Sequence, residues 1–230
     1  MIKCSDLRSS ALQSLRGNWK PVVLATLVYF LLAFLIPGPS SVLDRMGLIP
    51  SLSAVAAISC GSFVVGVFFI APLQFGYCNS ILEATRGDIQ NTTHNMFHFG
   101  FGWKYGRSLG TMILVAIYTF LWSLLLIIPG IIKTYAYSMA LFVSRDYPDI
   151  PVDDCIYLSR KLMNGYKFKL FCLQLSFLGW FILSVLTCGI GFLWLVPYYY
   201  ASVARMYETL KAEHWKGDPI EIVLERYHNK

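Results

Sequence analysis

The sequence predicts an all-α, polytopic membrane protein with six transmembrane helices arranged as three hairpins and short amphipathic interfacial helices on the cytoplasmic side. Three observations predict it. Ser108 to Ile132 is a run of 25 residues without a charge, bracketed by Arg107 and Lys133. A hydrocarbon core about 30 Å thick needs roughly 20 apolar residues in a helix, so this run is long enough to cross. Residues 21–43, 46–82 and 170–204 are charge-free as well, and 46–82 and 170–204 hold more than one minimal span each. Finally, the chain is 56% hydrophobic and 14% charged over 230 residues, against roughly 25% charged for soluble domains.

The formal net charge of +6 does not point to nucleic acid, because the basic residues flank the apolar runs instead of forming a polar domain of their own. That placement is the mark of topology, with lysine and arginine held on the cytoplasmic face beside anionic inner-leaflet lipids. The six cysteines form no CxxC pair and fall mostly in apolar segments, where they serve as small hydrophobes.

Residues 1–20 are expected to form an interfacial helix, not a cleaved signal, since the basic front contains Asp6 and no small-x-small cleavage site follows. Ser5 suits an N-cap, Leu7, Ala11, Leu12 and Leu15 share a face, and Gly17 can close the helix. Trp19 and Lys20 mark a membrane boundary and Pro21 opens span one, about 21–36. A turn-rich loop, PGPSSVLDRMGLIP, leads to span two, about 51–82. Its small pairs Ala57/Gly61 and Ser62/Gly66 permit close helix contact, and its Pro72 introduces a kink.

Residues 88–104 are expected to be a polar connection. It holds an Asn91-Thr92-Thr93 acceptor pattern and His94 and His98 one helical turn apart, without a third ligand at diagnostic spacing; no metal or cofactor is expected. Span three covers about 105–128, up to the Pro129-Gly130 break. Span four, about 131–147, must cross, because otherwise Arg145, Arg160, Lys161, Lys167 and Lys169 would lie opposite Arg8, Arg16, Lys20, Arg86, Lys104 and Arg107. Pro151 to Gly165 is amphipathic, with Asp149, Asp153 and Asp154 toward its start and Arg160 and Lys161 toward its end, as the helix dipole favours. Spans five and six, about 168–186 and 192–211, follow, joined at Thr187–Gly191. Both termini are then cytoplasmic. The single transmembrane domain ends at about 217, and 218–230 is a short amphipathic tail with Asp218 as cap, Pro219 at the first position and Ile220, Val223, Leu224 and Tyr227 as a stripe.

A threefold pattern runs through the chain. Gly17-Asn18-Trp19-Lys20, Gly102-Trp103-Lys104 and Gly165-Tyr166-Lys167 each precede an odd-numbered span. Each even-numbered span carries a proline, Pro72, Pro129 or Pro197, with a basic residue 14 to 16 positions later, Arg86, Arg145 or Lys211. This is either true repetition or the recurrence of aromatic-lysine boundaries and membrane prolines.

The stretches IIPGIIKTYAYSMALFVSRDYPD, SRKLMNGYKFKLFCLQLSFLGW and GIGFLWLVPYY, with LRSSALQSLRGNWK near the start, carry a resemblance. On them, and most specifically on Ser159, Arg160, Leu162, Met163, Gly165, Lys167, Phe171, Leu175, Ser176, Phe177, Gly179 and Trp180, the chain resembles the bacterial integral membrane family catalogued as domain-of-unknown-function family 975. The resemblance implies a polytopic protein of the bacterial cytoplasmic membrane. It brings no activity, substrate or catalytic residue.

No Ser/His/Asp or metal-ligand set is present, so no catalytic residue is expected and the chain is read as non-enzymatic. Two groups of residues are candidates for contact. After the prolines come Gln74, Tyr77 and Asn79; Tyr135, Tyr137 and Ser138; and Tyr198, Tyr199 and Arg205, which would line one cavity if the hairpins pack about a common axis. Ser159, Arg160, Lys161 and Lys167 mark a cytoplasmic interaction face for anionic lipid or for a membrane or cytoplasmic protein partner. A small-solute or lipid transporter built on the proline-kinked helices is the alternative, and an intramembrane enzyme the third.

Overall fold

The computed structural model describes residues 4–17, 19–35, 60–61, 64–102, 104–125, 127–215, 223–224 and 226–227. The loop 37–50, the small residues Ala57 and Ser62, Asn18 and Trp103 of the threefold motif, and Asp218, Pro219 and Ile220 of the tail lie outside them. Among the described residues all regular structure is helical, without a strand. In order they form α1 (Cys4–Leu15), α2 (Trp19–Leu35), a π-helical turn (Gly66–Ile70), α3 (Ala71–Arg86), α4 (Thr92–Phe97), a second π-helical turn (His98–Gly102), α5 (Tyr105–Leu125), α6 (Ile127–Tyr137), α7 (Ala140–Asp146), α8 (Val152–Leu162), α9 (Lys167–Ser176), α10 (Leu178–Leu186) and α11 (Phe192–His214).

Two of these stretches, Tyr105–Leu124 and Lys167–Leu186, are long and apolar enough to cross a membrane; α1 and α2, bent by 100°, make a third if counted as one span. Large apolar side chains of α5 and α10 that face outward, among them Phe120, Leu124, Ile182 and Leu186, are more than half exposed. Water disfavours so continuous a patch, whereas lipid does not.

The long helices run in antiparallel pairs. At the bend between α5 and α6, a Cβ on Gly130 would sit 2.8 Å from Ser123 Cα. From there Lys133 Nζ lies 4.2 Å from the Trp122 ring centre, Tyr137 packs on Tyr118, and the Thr111 and Ser144 hydroxyls meet at 2.8 Å. At the far end Arg107 Nη2 donates to the Tyr147 carbonyl at 2.7 Å. One register therefore holds along the whole of α5, and α6 with α7 returns over its full length. A second pair repeats the device: a Cβ on Gly191 would sit 2.8 Å from Ser184 Cα, and the contact continues through Phe177–Tyr198 and Tyr166–Glu213. A third pair is α2 with α3, where Tyr29 meets Gln74 and Thr26 meets Tyr77.

Several local expectations are corrected. Ser5 is not a cap: α1 already includes Cys4, and the Ser5 hydroxyl donates to the Asp6 carboxylate at 3.0 Å. Leu7, Ala11 and Leu15 are buried but Leu12 faces outward, whereas Gly17 closes the helix at φ +87°. Segment 131–147 is two helices, and 168–186 is also two. In each, a serine hydroxyl bonds the carbonyl three residues back, Ser138 to Tyr135 and Ser176 to Leu173, which competes with the helical ladder. At Pro72 the missing N–H frees the Phe68 carbonyl, the preceding turn widens, and the Tyr105 hydroxyl donates to that carbonyl at 2.7 Å. Residues 88–104, expected as a loop, contain α4 and the second π-helical turn, pressed onto α3 where Gly76 and Gly100 let backbone meet backbone. Apolar Met96 and Ile89 anchor this segment in the core.

α8 lies across the bundle, not along it. The Tyr118 hydroxyl donates to Asp153 near its start, and the Ser159 hydroxyl donates to the Ala136 carbonyl near its end. Tyr118 and Tyr137 face each other, so both ends of α8 sit at one level of the α5–α6 pair. α1 does the same on the α9–α11 pair, with Cys4 at the Lys169 carbonyl and Ser14 at Arg205.

Candidate functional site

Three features stand out at the polar pole and interior of the bundle. The first is an ion network joining the C-terminal ends of α3, α7 and α11. Arg86 donates in parallel from Nη1 and Nη2 to Asp146 at 2.9 and 2.7 Å, and from Nε to Glu208 at 2.9 Å. Lys211 Nζ reaches Asp146 at 2.7 Å, the Tyr207 hydroxyl donates to the same carboxylate at 3.0 Å, and Arg145 pairs with Glu83. The Asp146 side chain is only 5% exposed. Burial alone would pull Arg86 below its ordinary value, but the Asp146 and Glu208 carboxylates hold it above. The three basic residues of the threefold pattern, Arg86, Arg145 and Lys211, thus converge on one place.

The second feature is a chamber between the antiparallel pairs. Gln74 accepts from the Tyr29 hydroxyl at 2.7 Å and donates to the Tyr200 hydroxyl at 2.9 Å. Gln174 accepts from the Tyr135 hydroxyl at 2.6 Å and donates to the Tyr199 hydroxyl at 2.8 Å. These two matched clamps border cavities of about 330 and 620 Å³ that share Gln174, Tyr199 and Tyr200. Among the described residues no charged side chain lines either cavity, so these walls offer hydrogen bonds to a neutral group and no counter-charge to an ion.

The third is a basic recess of about 270 Å³ lined by Lys133, Arg160, Lys161, Lys167, Tyr157 and Asn164. The acids of α8 are occupied elsewhere: Arg226 pairs with Asp153 at 3.0 Å and with Asp154 at 2.5 Å, and the Tyr227 hydroxyl donates to Asp154 at 2.9 Å. The described part of the tail therefore docks on the start of α8, with Val223 buried.

Of the residues expected to share a cavity, Gln74, Tyr135, Ser138 and Tyr199 do line the chamber. The others are placed elsewhere, which corrects the single-cavity expectation. Tyr77 is wholly buried between Tyr29 and Tyr200, bonded to Thr26. Asn79 is buried and donates to the Phe75 carbonyl at 2.9 Å, its Oδ1 without a partner among the described residues. Tyr137 faces the α8 side with Ala136, Ala140 and Ile156. Tyr198 turns to Arg8, and Arg205 donates to Ser14 and to the Thr85 carbonyl. Of the expected interaction face, Arg160, Lys161 and Lys167 come together, while Ser159 is buried against α6. Sequence reasoning missed Gln174 and Tyr29 as chamber residues; the signal for Gln174 was a lone amide in an otherwise apolar span. His94 and His98 stack at 5.9 Å, and among the described residues no three or more His, Cys, Asp or Glu gather as a metal set.

No curated protein and no solved structure matches the chain. Residues 112–214, which hold α6 to α11 and most of α5, match the model of the family described as a protein of unknown function (DUF975), and over that stretch the chain resembles this family.

Proposed function

We propose that the chain is a non-enzymatic protein of the bacterial cytoplasmic membrane that crosses six times as three hairpins, keeps both termini cytoplasmic, and engages anionic inner-leaflet lipid through its basic face. The antiparallel registers of the three helix pairs support the crossings. Apolar side chains exposed on α5 and α10, and the ion network gathered at the ends of α3, α7 and α11, support a lipid-facing band with a polar pole on its cytoplasmic side.

One observation carries the lipid reading: Arg160, Lys161 and Lys167, from α8 and the start of α9, gather at one recess. Each such cation at an anionic surface is worth about 1 kcal/mol. The test is association of purified protein, or of its detergent-solubilised complex, with vesicles containing phosphatidylglycerol. Arg160→Glu with Lys161→Glu abolishes the preference for anionic over zwitterionic vesicles; unchanged preference overturns the proposal, and selective capture of a cytoplasmic protein by the same face would assign it to a protein partner.

The chamber favours a second reading, passage of a small neutral solute or lipid between the hairpins. Gln74 and Gln174, each held by two tyrosines from different helices, place amide groups in a space of the size small ligands occupy. Flux of neutral solutes or lipid scrambling in proteoliposomes, lost on Gln174→Leu, is the expected result; no flux with the wild-type protein removes this reading.

A further inference from the structure

A separate slot lies beneath α1, away from the basic recess. It encloses about 320 Å³ and runs from Arg8, Leu12 and Trp19 to the 187–191 turn, walled by Trp180, Leu183 and Trp194. Apart from Arg8 its lining is apolar or neutral. Arg8 Nε donates to the Tyr198 hydroxyl at 3.4 Å, and its guanidinium stands 5.3 Å from the centre of the Phe177 ring and 6.0 Å from that of Tyr198. Among the described residues Arg8 makes no ion pair, in contrast to Arg86, Arg145 and Arg226.

We propose that this slot binds an anionic phospholipid, with the phosphate against Arg8 and one acyl chain lying along Trp180, Leu183 and Trp194. Aromatic faces steady a guanidinium but leave its charge and most of its donors unspent, and an anion supplies both the charge and the acceptors. The apolar length of the slot gives a hydrocarbon chain a place and gives a soluble anion none. Trp19, at the Arg8 end of the slot, matches the interfacial belt, where such lipids have their headgroups. A zwitterionic lipid carries a second cation beside its phosphate, which competes with Arg8, so the slot favours a net negative headgroup.

Trp19, Trp180 and Trp194, half of the chain's six tryptophans, report occupancy directly. Full-length protein is reconstituted in bilayers of rising mole fraction of dibromo-phosphatidylglycerol or dibromo-phosphatidylcholine, and quenching of tryptophan fluorescence is followed. The anionic lipid is expected to reach half-maximal quenching at about fivefold lower mole fraction, the ratio that one paired cation supplies. Arg8→Gln brings the ratio to one, Arg8→Lys retains part of it, and Trp180→Phe with Trp194→Phe removes most of the selective component. Arg160→Glu with Lys161→Glu leaves it in place, which separates this slot from the basic recess. Equal quenching by the two lipids in wild type, selectivity surviving in a folded Arg8→Gln variant, or equal selectivity with Trp19, Trp180 and Trp194 all replaced overturns the proposal. Should Arg8→Gln not fold, the wild-type comparison and the tryptophan variants decide.

Discussion

Arg86 and Asp146, sixty residues apart, are joined by two parallel hydrogen bonds of 2.9 and 2.7 Å between the ends of α3 and α7. A guanidinium fork fits a carboxylate in this way with both charge and direction. Lys211 of α11 completes the connection at 2.7 Å. Asp146→Asn is expected to lower unfolding stability in detergent by about 3 kcal/mol, because two cations lose the buried anion between them. Arg86→Lys keeps the charge, loses the fork and costs less. Chemical denaturation followed by circular dichroism measures both; an Asp146→Asn variant as stable as wild type would show the network to be inert.

Gly76 is where α3 meets the 92–102 segment. A Cβ there would lie 2.0 Å from the Met96 carbonyl oxygen and 2.8 Å from the Gly100 amide nitrogen, both backbone atoms that cannot swing aside. Gly76→Ala is expected to abolish folding or to lower the melting temperature by many degrees. Gly106→Ala, at a helical site with open space around it, is expected to be neutral or slightly stabilising, since alanine is favoured by up to about 1 kcal/mol in a helix. Comparable melting of the two variants would contradict the contact.

Gln174→Leu removes an acceptor from the Tyr135 hydroxyl and a donor to the Tyr199 hydroxyl. Leaving buried polar groups unpaired costs about 1–3 kcal/mol each. Gln174→Leu and Gln74→Leu should therefore each destabilise by a similar amount. Leucine at either position without loss of stability, measured by the same unfolding series, would mean that the clamp is not formed.

Cys155 and Cys188 should respond differently to a maleimide. Burial pushes the Cys155 thiol up to about 11, a rise that nearby Arg107 only partly offsets, so its thiolate is scarce at neutral pH and appears only as pH climbs toward that value. Cys188 stands exposed in the 187–191 turn. Labelling of the solubilised protein at pH 7, followed by peptide mass spectrometry, should mark Cys188 and spare Cys155; the reverse order would contradict the burial of α8 against α5.

Much of the architecture follows from residue order, and particular residues show where that stops. The helical stretches, their boundaries near Trp19, Tyr105 and Lys167, and the amphipathic α8 follow from charge-free length and from the placement of Asp153, Asp154, Arg160 and Lys161. Arg86, Arg145 and Lys211 stand 14 to 16 positions after three prolines, but that they meet on Asp146 depends on how three helix ends come together, which no local spacing encodes. The chamber was half legible. Gln74, Tyr135, Ser138 and Tyr199 were identifiable as polar groups near prolines, whereas Tyr77 and Tyr198 have the same composition and face other neighbours. A helix turns about 100° per residue, so side chains one or two positions apart point to different faces, and only packing decides which face is inside. The breaks at Ser138 and Phe177 were missed because hydropathy records length and not competition by a serine hydroxyl for the ladder.

Charge reversal at Arg160 and Lys161 bears on the membrane face. With about 1 kcal/mol for each cation, exchanging these two for anions should lower association with phosphatidylglycerol vesicles more than thirtyfold at low salt and less at high salt. Co-flotation at two ionic strengths measures it, and salt-independent binding of the variant would contradict an electrostatic face.

The most direct test of six crossings is sidedness. In right-side-out and inverted membrane vesicles, an impermeant thiol reagent is applied to single-cysteine variants carrying Lys20→Cys, Lys169→Cys or only the native Cys188. Three hairpins predict that positions 20 and 169 react in inverted vesicles and Cys188 reacts in right-side-out ones. Reaction of positions 20 and 169 from opposite faces would contradict the arrangement.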